Sequence, residues 1–504
     1  MHYLKFFFKN KNSNYLTLIT IITLFSAILR FYQLDKLSFW NDEVASAQFF
    51  LNHKINFLVN FMFNRDANMI FFNLIIWLSG QFISLSSIGY LRIIPATFSV
   101  LSIPVVFLLG RNLSLDKKNA NFIGLLASFL VAINAFHIQY AQELRSYSLV
   151  FLLTTLSTYF LIKAIDKPEV KIRWLAYSIT IILSIYAHFY AVFILIAHLL
   201  SLVILIPNKK FRFPYKNVIL STLFIIAIIT PLFLIEYAIR NLQVNWIPFP
   251  NLNLFFIFFE HITGDEGILL TLLYTSLIVF GLFFAAGKIY KNKYSINSWK
   301  LILVIFCFTF PIILPLLISI VKPIFWDRFI LLILPYLEIF VTFGVLYLIN
   351  LKKLMGGRAL TILITFVIIY LSLIGVGNYF TSFQKEDIRG VAKYLGNNCM
   401  NSLRVYYPYK YMDTFTIYNL AIKSQINIQW DLKKTGRIIF RINTNDLYKL
   451  TKKYNSVCFV VSDAPFQHEI DDQIRILWRE YFNKNYSHQS LIKFYGFNVR
   501  VYSR

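Results

Sequence analysis

Long apolar runs separated by short basic loops constrain the fold of this chain more than any other feature. They sort into about eleven stretches of membrane-crossing length, near residues 15–34, 90–110, 121–138, 146–164, 173–187, 189–206, 217–237, 267–287, 300–321, 328–350 and 359–378. Of the 504 residues, 58% are hydrophobic and only 14% are charged, whereas soluble domains average ~25% charged residues. The sequence therefore predicts an α-helical polytopic membrane protein.

The basic residues indicate the orientation. Six loops on one side are basic, and they read KFFFKNKN, RNLSLDKKN, KAIDKPEVKIR, PNKKFRFPYK, KIYKNKYSINSWK and LKKLMGGR. The intervening loops carry more acids and aromatic residues. This alternation predicts a multi-pass protein of the inner (plasma) membrane with a cytoplasmic N-terminus and an extracytoplasmic C-terminal region. It also accounts for the net charge of +25, so no nucleic acid partner is expected.

The composition changes after residue 378. Residues 379–504 mix polar and apolar residues, with strand-like runs RVYYPY, GRIIFRI and SVCFVVSDAP and helical stretches EDIRGVAKYLGNN and DDQIRILWREYF. These patterns predict a small α/β extracytoplasmic domain. The expected domains are a transmembrane domain at 1–378, with a first outer loop at 35–89, and this terminal domain at 379–504.

Two of the three cysteines, Cys399 and Cys458, lie in the terminal domain. An oxidising compartment permits a bridge between them. Two separate buried thiols are an equally good interpretation, because the sequence does not show that they are close.

Two adjacent carboxylates, Asp42 and Glu43, follow the first apolar run in SFWNDEVAS. They could be solvated loop acids. Alternatively, one could be a base that deprotonates a hydroxyl acceptor, with its neighbour shaping the local field or binding a divalent cation. Further along the loop, Asp66 follows Arg65, and a local ion pair is the favoured interpretation there.

Polar residues also flank the outer ends of later spans. Glu143 and Arg145 in HIQYAQELR favour the wall of a site over mere capping, since charges at a membrane interface are costly unless hydrated, paired or functional. His188 in YAHFYA is more typical of a structural histidine among aromatics. Arg328 in WDRFILLILP is either a snorkelling anchor or a phosphate contact.

Five motifs in order carry a family resemblance: FWNDEVASA, QYAQELRSYSLVFLLTTLSTYFL, YAHFYAVFILIAHLL, VNWIPFPNLNLFF and DRFILLILPYL. Over roughly residues 15–380 the chain resembles membrane glycosyltransferases of GT-C type that use polyprenyl-phosphate sugars. The RgtA/B/C/D-like branch is the nearest group, and relatives include protein O-mannosyltransferases and the lipid A aminoarabinose transferase.

The resemblance implies roles for particular residues. Asp42 would be the catalytic base beside Glu43, and Glu143 would be the second catalytic acid. Substrate binding would involve a further set, namely Arg145, His188, Tyr190, Arg328 and Asp66. Many relatives carry a His-Pro-Pro element where this chain reads RDANMIFFN. Because of this departure, the resemblance supports substrate contacts by Asp66 and Asn68 less strongly than it supports the other roles.

The expected activity is transfer of a hexosyl or pentosyl group, with inversion, from a polyprenyl-phosphate donor to a hydroxyl on an envelope glycan, a glycolipid or a protein. The lipid bilayer is the other expected partner. No metal site is predicted and no cofactor is certain, although the acid pair could bind a divalent cation. The alternative is a transporter or flippase of lipid-linked sugars, which would favour repeated halves and a midplane site.

Overall fold

The computed structural model describes residues 14–64, 66–85, 87–113, 117–206, 212–239, 247–264, 267–291, 295–350, 357–399, 402–407, 455–462, 476 and 479–504. These residues form two compact units. The first comprises Met1–Gln33, Asn52–Phe82 and Arg92–Ser382, and the second comprises Leu34–Leu51, Ile83–Leu91 and Phe383–Arg504.

Helices dominate the described residues. They are α1 Asn14–Phe31, α2 Asn41–Leu51, α3 Ile55–Asn64, α4 Ile70–Phe82, α5 Ile93–Leu113, α6 Lys117–Ala132, α7 Ala135–Ala141, α8 Tyr147–Asp166, α9 Lys171–Ala187, α10 Val192–Leu205, α11 Tyr215–Ile239, α12 Leu252–Thr263, α13 Gly267–Lys291, α14 Ile296–Ile318, α15 Leu334–Asn350, α16 Gly357–Ser382 and α17 Ile388–Asn398. Short 3-10 helices at Ile88–Arg92, Phe189–Ala191 and Asp327–Ile333 precede α5, α10 and α15.

Within the described residues, eight helices are long and apolar enough to cross a membrane, and a bent pair formed by α6 and α7 would be a ninth. The polytopic membrane architecture is therefore confirmed, but the predicted number of eleven is not. The two remaining predicted spans, 173–187 and 189–206, correspond to α9 and α10, which have only 17 and 14 residues.

The span Asp327–Asn350 forms the centre of the first unit, because 94% of its most apolar window is buried, against 17% for Asn14–Phe31. It packs closely on α13. A side chain at Gly281 would collide with the Phe340 carbonyl group, and one at Gly344 with the Leu277 carbonyl group. Small residues let membrane helices approach in this way, and the packing fixes the span whose first turn contains Arg328.

The second unit contains a four-stranded sheet with the order β1-β2-β4-β3. Its strands are β1 Leu403–Tyr407, β2 Ser456–Ser462, β3 His488–Phe494 and β4 Phe497–Ser503. β1 pairs parallel with β2, and the other two pairs are antiparallel. β3 and β4 form a hairpin whose turn contains Gly496 at a φ of +79°, a conformation that glycine adopts without steric cost.

Several strand and helix predictions for this unit are confirmed, namely α17, β1 and β2. The hairpin of β3 and β4 was not predicted. The predicted strand at 436–442 lies outside the described residues, and the predicted helix at 471–482 is described only at residue 476 and from 479 onwards, where it is helical.

Cys399, at the end of α17, and Cys458, in β2, form a disulfide with a Cα–Cα distance of 6.3 Å. The structure thus decides between the two interpretations of these cysteines. The bond joins α17 to β2, one of the two central strands of the sheet, where Cys458 is fully buried.

The beginning of the first outer loop belongs to the second unit. Arg389 in α17 donates to the Asp35 carboxylate at 2.6 Å and to the Asp35 carbonyl oxygen at 2.8 Å. The Ser87 hydroxyl donates to the other carboxylate oxygen of Asp35 at 2.8 Å. The sequence did not suggest this grouping, and the domain boundary at residue 378 stays a prediction.

Candidate functional site

A break between α6 and α7 positions the start of α8. The two helices meet at 62°, and Asn134 caps α7 by accepting the His137 backbone N–H at 2.9 Å. Arg30, fully buried near the end of α1, donates to the Val131 and Ala132 carbonyl groups at 3.1 and 2.9 Å. Irregular backbone inside an apolar bundle requires such partners, so Arg30 stabilises the bend.

Gln142 anchors the segment that carries Glu143 and Arg145. Its side-chain amide donates to the Arg30 and Tyr32 carbonyl groups at the end of α1, at 3.0 and 2.7 Å. Glu143 is buried, with 3% of its surface exposed, and Arg145 is half-buried. Both predicted site residues therefore lie in a fixed segment directly before α8.

His188 lies at the junction between α9 and α10, among aromatic rings. Its Nδ1 accepts the Tyr190 backbone N–H at 3.2 Å. Its ring centroid lies 4.9 Å from that of Phe329, 5.9 Å from that of Tyr147 and 6.3 Å from that of Tyr190. The His188 ring thus joins the start of α8, the start of α10 and the 3-10 helix before α15.

The positive charges of two arginines lower the pKa of the same histidine. Burial, followed by the positive charges of Arg145 and Arg328, lowers the pKa of His188 to about 3. The imidazole is consequently neutral at neutral pH, and among the described residues the two guanidinium groups are cations that act on it. Buried or half-buried arginines at a helix end are suited to an anion such as phosphate, because arginine keeps its charge and offers several donors.

Arg328 is held by its neighbour Asp327. Asp327 Oδ1 accepts the Arg328 backbone N–H at 2.6 Å, and Asp327 Oδ2 lies 3.1 Å from Nδ1 of His261 in α12. Sequence reasoning missed both His261 and Asp327. The run EHITGDE around His261, in a segment that the sequence predicts to be on the outer side, was a signal that could have indicated it.

Asp66 lies in a buried turn with 9% of its surface exposed. Burial raises the pKa of Asp66 to about 6, and the charge of Glu236 acts in the same direction, while the Asn68 backbone N–H and the charge of Arg145 oppose it. The partner expected from the sequence, Arg65, lies outside the described residues. Among the described residues, Arg145 is a cation whose charge acts on Asp66.

In the second unit the two adjacent acids have different surroundings. Glu43 is fully buried, and its carboxylate lies 3.3 Å from the Lys385 ammonium group, whose side chain is 9% exposed. The Trp40 backbone nitrogen lies 3.5 Å from the same Glu43 oxygen, as in a helix capping box. Asp42 is half-exposed in the first turn of α2. Glu43 is thus buried against Lys385, as in a structural ion pair, whereas Asp42 is partly accessible to solvent.

Among the described residues, no group of three or more His, Cys, Asp or Glu side chains gathers in a way that could hold a metal ion.

No protein-family model matches the chain, and no curated protein does. Solved structures do match. ArnT from Cupriavidus metallidurans in the apo state is 10% identical, with 97% of each chain covered and a TM-score of 0.56. The same enzyme bound to undecaprenyl phosphate is 11% identical, with the same coverage and a TM-score of 0.57.

A further match is the archaeal oligosaccharyltransferase AglB from Archaeoglobus fulgidus, solved with an inhibitory peptide and a dolichol-phosphate. It is 12% identical and covers 90% of this chain and 70% of its own, with a TM-score of 0.55. Both neighbours are GT-C glycosyltransferases. The chain has the GT-C fold.

Within this GT-C fold, six predicted site residues belong to the first unit. Charge effects, ring contacts and a backbone hydrogen bond link them to one another or to the residue next to them in the sequence. They are Asp66, Glu143, Arg145, His188, Tyr190 and Arg328. The other two predicted residues, Asp42 and Glu43, belong to the second unit. The roles of all eight stay predictions.

Proposed function

We propose that this GT-C chain is a membrane glycosyltransferase that moves a sugar from a polyprenyl-phosphate donor to a hydroxyl acceptor at the outer face of the membrane. The observation that carries the proposal is the pair of arginines, Arg145 and Arg328, whose charges act on one buried histidine within this fold. A cationic group of this kind is suited to the phosphate of a lipid-linked donor. Structures of two neighbours with the fold contain undecaprenyl phosphate and dolichol-phosphate.

The chemistry that follows is a single displacement. The acceptor oxygen attacks the anomeric carbon, a new glycosidic C–O bond forms, and the bond from that carbon to the phosphate oxygen breaks with inversion. Asp42 takes the hydroxyl proton as general base. The bonding electron pair leaves with the phosphate, and Arg145 and Arg328 stabilise the charge that develops there. Glu143 is proposed as the second acid of the site.

Transfer assays test this proposal directly. The purified full chain in lipid nanodiscs is given a radiolabelled polyprenyl-phosphate sugar together with fractions of envelope glycan, glycolipid or protein. Label should pass to one of these fractions while polyprenyl phosphate is released, and the Arg328→Ala variant should lose both. Arg328→Lys should recover only part of the rate, because a lysine lacks the planar set of donors.

Reconstituted vesicles distinguish the alternative function. A flippase would move the intact labelled lipid between leaflets without releasing polyprenyl phosphate. Movement of label across the bilayer, with no transfer to any fraction, would overturn the glycosyltransferase proposal.

A further inference from the structure

The turn from Asp66 to Met69 is fixed by hydrogen bonds to other parts of the first unit. The Ala67 backbone N–H donates to Glu236 Oε2 in α11 at 3.0 Å. The side-chain oxygen of Asn68 accepts the Phe189 backbone N–H at 3.0 Å, directly after His188. Ala67 has no exposed surface. Two side chains, Glu236 and Asn68, thus join the turn to α11 and to the junction between α9 and α10.

The backbone of the turn needs this support. Met69 has a φ of +62°, a left-handed conformation that is uncommon for residues other than glycine. Within the turn, Asp66 Oδ1 accepts the Asn68 backbone N–H at 2.8 Å. Conformations of this kind persist where surrounding contacts determine them. Here the turn has two hydrogen bonds to the rest of the unit, one from the Ala67 N–H to Glu236 and one from the Phe189 N–H to Asn68.

The turn is linked to the aromatic group around His188, because Asn68 bonds the residue that follows His188, and the His188 ring centroid lies 4.9 Å from that of Phe329. The charged groups that act on Asp66 are Glu236 from α11 and Arg145 from the segment before α8. Arg145 also acts on His188. The same turn therefore connects both to the histidine, through Asn68 and Phe189, and to the arginine, through the charge of Asp66.

We propose that Glu236 and Asn68 are positioning residues that hold the turn against the junction at His188. The His188 ring thereby keeps its place against Phe329, next to Arg328, which is proposed to bind the phosphate of the lipid-linked donor. This inference rests on the proposed function. The function of the turn is distinct from the general-base chemistry assigned to Asp42, and it gives residues 66–69 a role in donor binding.

Glu236 offers a matched pair of substitutions. Glu236→Gln keeps an oxygen that can accept the Ala67 N–H, whereas Glu236→Leu removes the acceptor. In a background with Ala67→Cys, a membrane-impermeant maleimide should label Glu236→Leu about 10-fold faster than the parent, since loss of one hydrogen bond raises the population of the open turn by roughly that factor. Glu236→Gln should remain protected. Tyr237→Phe, at an exposed neighbouring position, is the control and should label like the parent.

Transfer kinetics then test the role of the turn. Glu236→Leu and Asn68→Leu should raise the KM for the donor about 10-fold with a smaller change in kcat, and Glu236→Gln should restore KM. Rescue of KM by Glu236→Gln, measured with matched amounts of folded protein, distinguishes positioning from a loss of stability.

Each outcome has a clear meaning. Equal labelling of Glu236→Leu and its parent would overturn the anchoring role. Faster labelling with unchanged KM would show that the turn positions nothing for transfer, and would overturn the proposal as well. If the wild-type chain transfers no sugar, the proposed function and the donor-binding role fail, while the labelling result still decides whether Glu236 anchors the turn.

Discussion

Substitutions of the adjacent acids Asp42 and Glu43 should have different consequences. Glu43 is fully buried against Lys385, whereas Asp42 is half-exposed. We therefore expect Asp42→Asn to lower the transfer rate without unfolding the protein. Glu43→Gln should lower the free energy of unfolding of the second unit, with little change in the rate per folded molecule.

The magnitudes follow from these environments. Glu43→Gln breaks a buried ion pair by removing one partner, which typically costs about 3–5 kcal/mol of stability. Asp42→Asn retains size and hydrogen bonding near the surface, so it should change stability by no more than about 0.5 kcal/mol. Loss of a general base lowers the rate by ~10²-fold or more.

The assay measures the initial transfer rate at saturating lipid donor, with the amount of folded protein determined for each variant, and the resistance of the second unit to thermal unfolding. A matched control is the double variant Glu43→Gln with Lys385→Met, which removes both charges. It should recover much of the stability that Glu43→Gln alone loses.

Two results would refute this reasoning. A near wild-type rate for Asp42→Asn would end its assignment as base and move the search to Glu143. A rate for Glu43→Gln that falls as far as that of Asp42→Asn, with unchanged stability, would show that the two acids act together on a shared proton or cation.

Three further predictions concern the disulfide, the orientation and His188. The disulfide closes a separation of 59 residues, which by chain entropy is worth about 4 kcal/mol, so reductant should lower the unfolding midpoint of the wild type but not of a Cys399→Ser, Cys458→Ser variant. A reporter active only outside the cytoplasm, fused after Arg504, should be active, and activity only of a cytoplasmic reporter would reverse the topology. Because His188 has a pKa of about 3 when folded and 6.5 as an ordinary value, only the unfolded chain binds its proton between these pH values. Stability should fall as pH decreases through this window, and less steeply in His188→Asn; equal slopes would contradict the assignment.

Local patterns were sufficient to predict much of the fold. The apolar runs correspond to helices, and the short continuous apolar run in SVCFVVS corresponds to β2, one of the two central strands of the sheet. The hairpin at 488–503 was missed although the two runs HQSLIKF and FNVRVYS flank a turn that contains Gly496. This local signal was present, and a search for paired strands around glycine would have found it.

Long-range pairings could not be predicted from local patterns. Glu43 and Lys385 are 342 residues apart, and Ala67 and Glu236 are 169 residues apart. Neither pair leaves a periodic signal, because each depends on how distant segments pack. Arg30 is a similar case. The sequence places it at the end of an apolar run, whereas the structure shows that it is buried and bonded to the broken helix about 100 residues later.

The helical geometry of α2 explains why two adjacent acids need not act as a pair. Successive residues on an α-helix point about 100° apart, so Asp42 and Glu43, in the first turn of α2, face different surroundings. Glu43 faces Lys385 and the backbone nitrogen of Trp40. A cation held by both carboxylates would require Glu43 to leave Lys385, at the cost of breaking a buried ion pair. The arrangement therefore favours a division of roles, in which Glu43 fixes the start of α2 against Lys385 and Asp42 is the acid that a hydroxyl acceptor can reach.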